Sequence, residues 1–171
     1  IYASVTPVKF LIKANNLDSC KLNIYLSNIN RAKIDSNSIT LRKPTSGTIY
    51  NHYGIYSLYS TNDTIRVNTI QTNGSTFTSL SAADKAKYTG AYLQAFQSGS
   101  VTDNDISNFA RHIEFNGSSQ FNRVLCNLFK RGLPNSDITT PTNTFYLNGL
   151  ANLDFGNFGA NDYASNNYWD D

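Results

Sequence analysis

Apolar and polar residues alternate in short runs along the first half of the chain. Leu22, Ile24 and Leu26 alternate with Asn23 and Tyr25, and similar runs lie at 5–12, 39–41 and 65–70. Short runs of this kind, bounded by Asn, Asp, Ser and Gly, are typical of β-strands. Because no helical pattern separates them, residues 1–79 are predicted to form an antiparallel sheet or a small sandwich.

Between residues 80 and 133 the apolar positions recur every three or four residues, as they do on one face of a helix. Ser81 and Thr102 are suitable N-caps, and Gly132 followed by Pro134 is a stop signal. The pattern predicts a three-helix segment that packs on the β half. Its three apolar stripes are Tyr88, Ala91, Tyr92, Ala95 and Phe96; Ile106, Phe109, Ala110 and Ile113; and Phe121, Val124, Leu125, Leu128 and Phe129.

Residues 134–171 follow neither period. They are rich in Asn and Gly, yet they contain more aromatic residues than disordered tails usually do. An extended arm that inserts its rings into pockets of this chain or of a neighbour is therefore predicted, and the predicted fold class is α+β. The aromatic residues assigned to the arm are Phe145, Tyr146, Phe155, Phe158, Tyr163, Tyr168 and Trp169.

Composition narrows the class of protein. Asn, Ser and Thr occupy 57 of the 171 positions, while hydrophobic residues at 40% are sufficient for a packed core. No apolar run is long enough to predict a membrane span. Residues 1–79 carry eight basic and three acidic residues, and residues 80–171 carry six and nine. This asymmetry indicates head-to-tail attraction or an ordinary solvated surface, and it is too mild to predict nucleic-acid binding.

The chain contains little that indicates catalysis. His52 and His112 are its two imidazoles, and they do not have the spacing of a zinc protease motif. Phosphate-binding loops and calcium loops are missing from the sequence as well. No enzyme activity, catalytic residue, metal or cofactor is therefore predicted, and a hydrolase that uses Asp carboxylates is kept as a distant alternative.

Cys20 and Cys126 are the two cysteines. They are predicted either to form one disulfide that closes a long loop or to be two buried thiols. The chain starts at Ile1 and contains no Met. Either a leader has been removed or the chain is a fragment of a longer protein. Removal of a leader would favour an exported or organellar protein over a cytoplasmic one.

Four tyrosines recur at every third position, at Tyr50, Tyr53, Tyr56 and Tyr59. Tyrosine offers a large apolar face and a hydroxyl at a small cost in side-chain entropy, which suits the binding of a sugar or a peptide. The alternative is a strand that bends at Gly54 and shares its tyrosines between two faces.

The helical stretch resembles phycobilisome linker domains. The segment Ser98-Gly99-Ser100-Val101-Thr102 is similar to the motif that opens a helix in that family. The run from Phe121 to Lys130-Arg131-Gly132-Leu133-Pro134 is similar to a second helix with an apolar stripe. The order of Arg and Gly differs from the family pattern, and the N-terminal β half has no counterpart in it. The resemblance implies a scaffold chain of a light-harvesting assembly.

Three functions are consistent with these observations. The first is a non-enzymatic structural or interaction subunit of a larger assembly, with the arm bridging to protein partners that are copies of itself or other chains. The second is a binding module that uses the tyrosine-rich segment for a glycan or a peptide. The third is the linker function that the resemblance implies.

Overall fold

The computed structural model describes residues 1–4, 9–43, 48–73, 80–109, 111–117, 119 and 122–130, and the backbone of strand segments 144–147, 150–154, 163–165 and 168–170. Within these residues the chain forms nineteen strands and one short helix. The helix, α1, spans Ala82–Lys85. Almost all of the regular backbone is therefore β-structure.

The strands form three sheets. Sheet A contains, in spatial order, β1 (Tyr2–Ser4), β4 (Leu22–Ser27), β7 (His52–Leu58), β10 (Tyr88–Gln94), β13 (Arg111–Asn116), β17 (Leu150–Asp154) and β16 (Thr144–Leu147). Sheet B contains β18 (Tyr163–Ser165), β14 (Arg123–Leu125), β11 (Ser100–Thr102), β8 (Thr64–Arg66), β5 (Ala32–Asp35) and β2 (Phe10–Lys13). Sheet C contains β19 (Tyr168–Asp170), β15 (Leu128–Lys130), β12 (Asp105–Ser107), β9 (Thr69–Thr72), β6 (Ser38–Leu41) and β3 (Asn16–Asp18).

The chain visits sheets A, B and C in turn and then returns to sheet A one strand further along. One strand from each sheet makes one turn, which we call a rung, and six rungs follow each other from β1–β3 to β17–β19. Neighbouring strands of successive rungs pair in parallel, and β16 pairs with β17 in antiparallel orientation. This is a three-sided parallel β-solenoid, in which each rung is stabilised mainly by its two neighbours.

The core is built from columns of equivalent residues, one from each rung. In sheet B the column is Ile12, Ile34, Ile65, Val101 and Val124. In sheet C it is Leu17, Ile39, Ile70, Ile106 and Phe129. All of these except the half-buried Leu17 are buried. Each fully buried aliphatic side chain contributes about 1.5–3 kcal/mol to stability, so the columns drive the stacking of the rungs.

A ladder of asparagines runs along the corner between sheets B and C. Its members are Asn15, Asn37, Asn68, Asn104 and Asn127. From Asn37 onward, each Oδ1 accepts hydrogen bonds of 2.9–3.1 Å from the backbone N–H and the Nδ2 of the asparagine in the preceding rung. The ladder thereby satisfies buried backbone groups at a corner where no strand can do so.

The residue before each ladder asparagine has a left-handed backbone conformation. These residues are Ala14, Ser36, Val67, Asp103 and Cys126, with φ between 55° and 57°. A non-glycine residue in this region is uncommon, and a β-branched residue such as Val67 is strained there. The hydrogen bonds of the ladder hold the same sharp turn in five successive rungs.

The predicted α+β fold is wrong. Strands are present in the described part of residues 1–79, but they pair in parallel rather than in antiparallel orientation. Residues 5–8 of the first expected strand lie outside the described residues. The first of the three predicted helices begins at the expected N-cap, because the Ser81 Oγ accepts a hydrogen bond from the Asp84 N–H at 3.2 Å. The helix ends at Lys85, and the rest of the segment forms strands β10 to β15.

The helical period in residues 80–133 has a simple origin in the solenoid. The strands of sheets B and C in this region have three residues each, and a tight corner follows them. Ile106, Phe109 and Ile113 are all buried, although they lie in or beside different strands. Turning a corner changes the spacing of inward-facing residues from two to three or more, which imitates the spacing of a helix.

The extended arm of the predicted fold is also not observed in the described residues. Strands β17, β18 and β19 continue sheets A, B and C as a sixth rung. In the described residues, the helices implied by the resemblance to phycobilisome linkers are not formed either, because Ser100–Thr102 and Arg123–Leu125 are strands of sheet B. Residues 131–143 lie outside the described residues.

No helix in the described part of the chain is both long enough and apolar enough to cross a membrane.

Candidate functional site

Tyrosines form a continuous layer on the outer face of sheet A. Tyr2, Tyr25, Tyr56 and Tyr92 occupy equivalent positions in rungs 1 to 4, so the parallel register places them side by side. Tyr53, from the start of β7, completes the group. We call these five residues the tyrosine platform.

The rings of the platform are in direct contact. Tyr2 stacks on Tyr25 with centroids 4.8 Å apart and planes 7° from parallel. Tyr25 meets Tyr56 edge to face at 5.2 Å, and Tyr56 meets Tyr92 edge to face at 5.0 Å. Tyr53 lies 5.1 Å from Tyr56 and 5.0 Å from Tyr92. Contacts of this geometry stabilise aromatic pairs by about 0.5–1.5 kcal/mol each, so the platform is a rigid surface before any ligand binds.

The platform is partly open to solvent. Tyr2 is 72% exposed, and the other four tyrosines are half-buried. The strand pleat directs the next residue to the interior, as shown by the buried Leu26, Ser57 and Leu93. Each tyrosine therefore presents ring surface outward from a backbone that is fixed by the core beneath it.

Three hydroxyls of the platform, those of Tyr53, Tyr56 and Tyr92, remain protonated at neutral pH. Burial raises the pKa of Tyr53 and of Tyr56 above the usual value of 10.0. Burial, assisted by the negative charge of Glu114, raises the pKa of Tyr92 to about 12. A neutral hydroxyl both donates and accepts a hydrogen bond, which is the pattern needed to bind sugar hydroxyls.

Polar side chains of the neighbouring strands surround the platform. The Tyr56 hydroxyl donates to Oε1 of Gln94 at 3.2 Å, and Nδ2 of Asn116 donates to the Tyr92 hydroxyl at 2.6 Å. In rung 5, the position equivalent to Tyr92 is Glu114, which forms an ion pair with Arg111 at 3.3 Å. The side chains around the platform are thus amides and one ion pair, so the platform has no net positive or negative surroundings.

The structure brings together two of the four tyrosines named from the sequence. Tyr53 and Tyr56 belong to the platform. Tyr50 precedes β7, where the Lys21 ammonium lies 4.7 Å from its ring centroid. Tyr59 follows β7 in a left-handed conformation with φ of 52° and is 57% exposed.

The sequence reasoning missed Tyr2, Tyr25 and Tyr92. Their ring partners lie in other rungs, at sequence separations set by the rung length rather than by the period of a strand or helix. The signal that could have found them is the repeat of the ladder asparagines, whose separations of 22, 31, 36 and 23 residues give the rung lengths.

The other predicted site residues are placed as follows. Cys20 and Cys126 are free and exposed, and they belong to rungs 1 and 5. The backbone strands β16, β18 and β19 contain Phe145, Tyr146, Tyr163, Tyr168 and Trp169. Phe155 and Phe158 lie outside the described residues. A role of these residues in assembly stays a prediction.

The two histidines lie inside the solenoid. His52 stacks on Tyr88 at 4.7 Å, and burial lowers its pKa below the usual 6.5. His112 is fully buried and contacts Phe109 and Phe129. Among the described residues no group of three His, Cys, Asp or Glu side chains is arranged to hold a metal ion.

No protein-family model matches the chain. No curated protein matches it either. The fold and the tyrosine platform are accordingly the basis for the function proposed below.

Proposed function

We propose that this chain is a glycan-binding module and that the tyrosine platform is its binding surface. The observation that carries the proposal is the layer of five contacting rings on the outside of a rigid parallel sheet. Rings that support only the core would be buried, as Phe96 and Phe115 are. Exposed aromatic surface on a fixed backbone is typical of recognition sites.

The chemistry around the rings favours a neutral glycan. The apolar C–H faces of sugar rings can cover the exposed tyrosine faces, and sugar hydroxyls can bond to the protonated tyrosine hydroxyls and to amides such as Gln94 and Asn116. The nearest charges, Arg111 and Glu114, neutralise each other. The successive equivalent positions in rungs 1 to 4 suit an extended chain of sugars rather than a single one.

An array of neutral and charged glycans, with extended peptides on the same surface, tests this proposal. We expect saturable binding to neutral oligosaccharides. We expect Tyr56→Ala combined with Tyr92→Ala to reduce the affinity by about tenfold or more, because a truncated hot-spot ring costs about 2 kcal/mol or more.

Tyr50→Ala combined with Tyr59→Ala is the matched control. It removes two exposed tyrosines that are not part of the platform, so it should leave glycan binding unchanged. Circular dichroism of both double variants checks that the solenoid is folded. Binding of peptides alone would reject a glycan ligand, and equal loss in both double variants would reject the platform as the site.

A further inference from the structure

A recessed surface lies at the N-terminal end of the solenoid, on sheet B rather than on sheet A, which carries the tyrosine platform. It is a pocket of about 420 Å³ lined by Lys9, Phe10, Leu11, Arg31, Ala32, Lys33, Asn62 and Thr64. This volume is within the range of about 300–1,000 Å³ that is usual for small-molecule sites. The pocket spans rungs 1 to 3, because Leu11, Lys33 and Thr64 are neighbours in the register of sheet B.

Three cationic side chains line the pocket. Lys33 forms an ion pair with Asp35 at 3.1 Å, so its charge is partly neutralised. For Lys9 and Arg31, no carboxylate among the described residues lies within 4.0 Å. These two side chains therefore form no ion pair within the described part of the chain.

Backbone geometry fixes one of these cations. Arg31 and Asn62 lie just before the strands of sheet B in rungs 2 and 3, and both have left-handed conformations with φ of 65° and 56°. The Arg31 N–H donates to the Thr61 carbonyl at 2.9 Å. The corner is thus held by the next rung, and the guanidinium extends from an anchored point rather than from a loose loop.

The remaining lining is apolar or neutral. Leu11 is 58% exposed, Phe10 is half-buried, and Thr64 and Asn62 provide a hydroxyl and an amide. An exposed leucine beside unpaired cations suits a ligand that has an acid group and an apolar surface of its own. Guanidinium groups bind carboxylate and phosphate oxygens through paired hydrogen bonds.

We propose that this pocket binds a small organic anion, such as an acidic sugar, whose carboxylate or phosphate group is held by Lys9 and Arg31 and whose ring lies on Leu11 and Phe10. The site lies on a different sheet from the tyrosine platform and does not depend on the function proposed for it. Carboxylate and phosphate share the chemistry of recognition, and the probes below distinguish them.

The experiment is a titration of the ¹⁵N-labelled chain followed by amide chemical shifts. The probes are glucuronate, glucose 6-phosphate and inorganic phosphate, with glucose as the neutral control. We expect saturable shifts at residues 9–11, 31–33 and 62–64 with at least one of the two sugar anions, and weaker binding at high salt. A carboxylate site binds glucuronate more tightly, and a phosphate site binds glucose 6-phosphate more tightly.

Lys9→Gln combined with Arg31→Gln should weaken binding of the preferred anion by about tenfold or more. Arg123→Gln is the matched control, since Arg123 is an exposed arginine of the same sheet in rung 5. Equal shifts with glucose, shifts outside the pocket, or unchanged affinity in the double variant would overturn the proposal. Inorganic phosphate that binds as tightly as the sugar anions would overturn the role of Leu11 and Phe10.

Discussion

A buried carboxyl group makes the stability of this solenoid depend on pH. Asp63 is 1% exposed and occupies a corner position between sheets A and B. Its Oδ1 accepts from the Ala32 N–H at 2.7 Å, while its Oδ2 has no hydrogen-bond partner. Burial raises the pKa of Asp63 from 3.8 to about 7, and the bond from Ala32 opposes that rise in part.

The sign of the effect follows from the direction of this pKa change. The folded state keeps Asp63 protonated up to about pH 7, whereas the unfolded state releases the proton near pH 3.8. The unfolded state therefore gains stability from ionisation as pH rises between these values. The contribution of Asp63 to stability is complete below pH 3.8, declines up to about pH 7 and stays constant above it.

The magnitude can be worked out from the same two values. Each pKa unit corresponds to 1.36 kcal/mol, so the interval from 3.8 to about 7 corresponds to about 4 kcal/mol. Asp63→Asn removes the titration and keeps an Oδ1 acceptor for Ala32. A precedent is present in rung 5, where Asn122 Oδ1 accepts from the Gly99 N–H at 2.9 Å and Nδ2 donates to the Phe96 carbonyl at 2.8 Å.

The assay is urea unfolding followed by circular dichroism between pH 4 and pH 8.5. We expect the free energy of unfolding of Asp63→Asn, relative to wild type, to increase with pH and to reach up to about 4 kcal/mol near pH 8. Using the difference between the two proteins cancels His52, whose lowered pKa acts in the opposite direction in part of this range.

Asp103→Asn is the matched control, because Asp103 is exposed at a left-handed corner that asparagine tolerates. A trend with pH as large in this exposed control as in Asp63→Asn would show that the trend does not come from burial of the Asp63 carboxyl. If the Asp63→Asn difference is independent of pH, then Asp63 ionises as easily in the folded as in the unfolded state, and burial does not raise its pKa.

Three further predictions concern the ladder, the sheet packing and an ion pair, each measured as the free energy of unfolding. Asn68→Ala should cost about 3 kcal/mol, because it leaves buried N–H and C=O groups of two rungs without partners. The control Asn30→Ala, at a partly exposed asparagine, should cost under about 1 kcal/mol. Equal costs would contradict the role of the ladder. Gly90→Ala should cost about 1–3 kcal/mol or more, since its Cβ would lie 2.5 Å from the His112 carbonyl oxygen, and a neutral effect would contradict that packing. Hydrogen bonds from Ser36, Lys33 and Arg66 hold the pKa of Asp35 at about 2. The wild type should therefore lose stability relative to Asp35→Asn as pH falls from 3.8 through 2. Parallel plots of unfolding free energy against pH for the two proteins would contradict this.

The sequence allowed part of this fold to be predicted. The strands Phe10–Lys13, Leu22–Ser27 and Ser38–Leu41 and the Ser81 cap follow from local patterns, because alternation and capping depend on residues close in the chain. The parallel pairing does not follow from them. It is encoded by a six-residue repeat in which an asparagine follows one apolar residue by three positions and precedes another by two. This repeat recurs around Asn15, Asn37, Asn68, Asn104 and Asn127.

The unequal separations of this repeat conceal it. The successive rung lengths are 22, 31, 36 and 23 residues, so no fixed period is present. The left-handed corners are a second obstacle, since residues such as Val67 give no local signal for that conformation. The platform could be predicted only in part for the same reason, because Tyr56 joins Tyr25 and Tyr92 through the register of the rungs.

The most direct test of the proposed function is a crystal structure of the chain with the neutral oligosaccharide that it binds most tightly. The account predicts sugar rings stacked on Tyr56 and Tyr92, with sugar hydroxyls bonded to Gln94 or Asn116 and the chain of sugars running along the rungs. A glycan bound at another surface, with the five tyrosines uncovered, would contradict it.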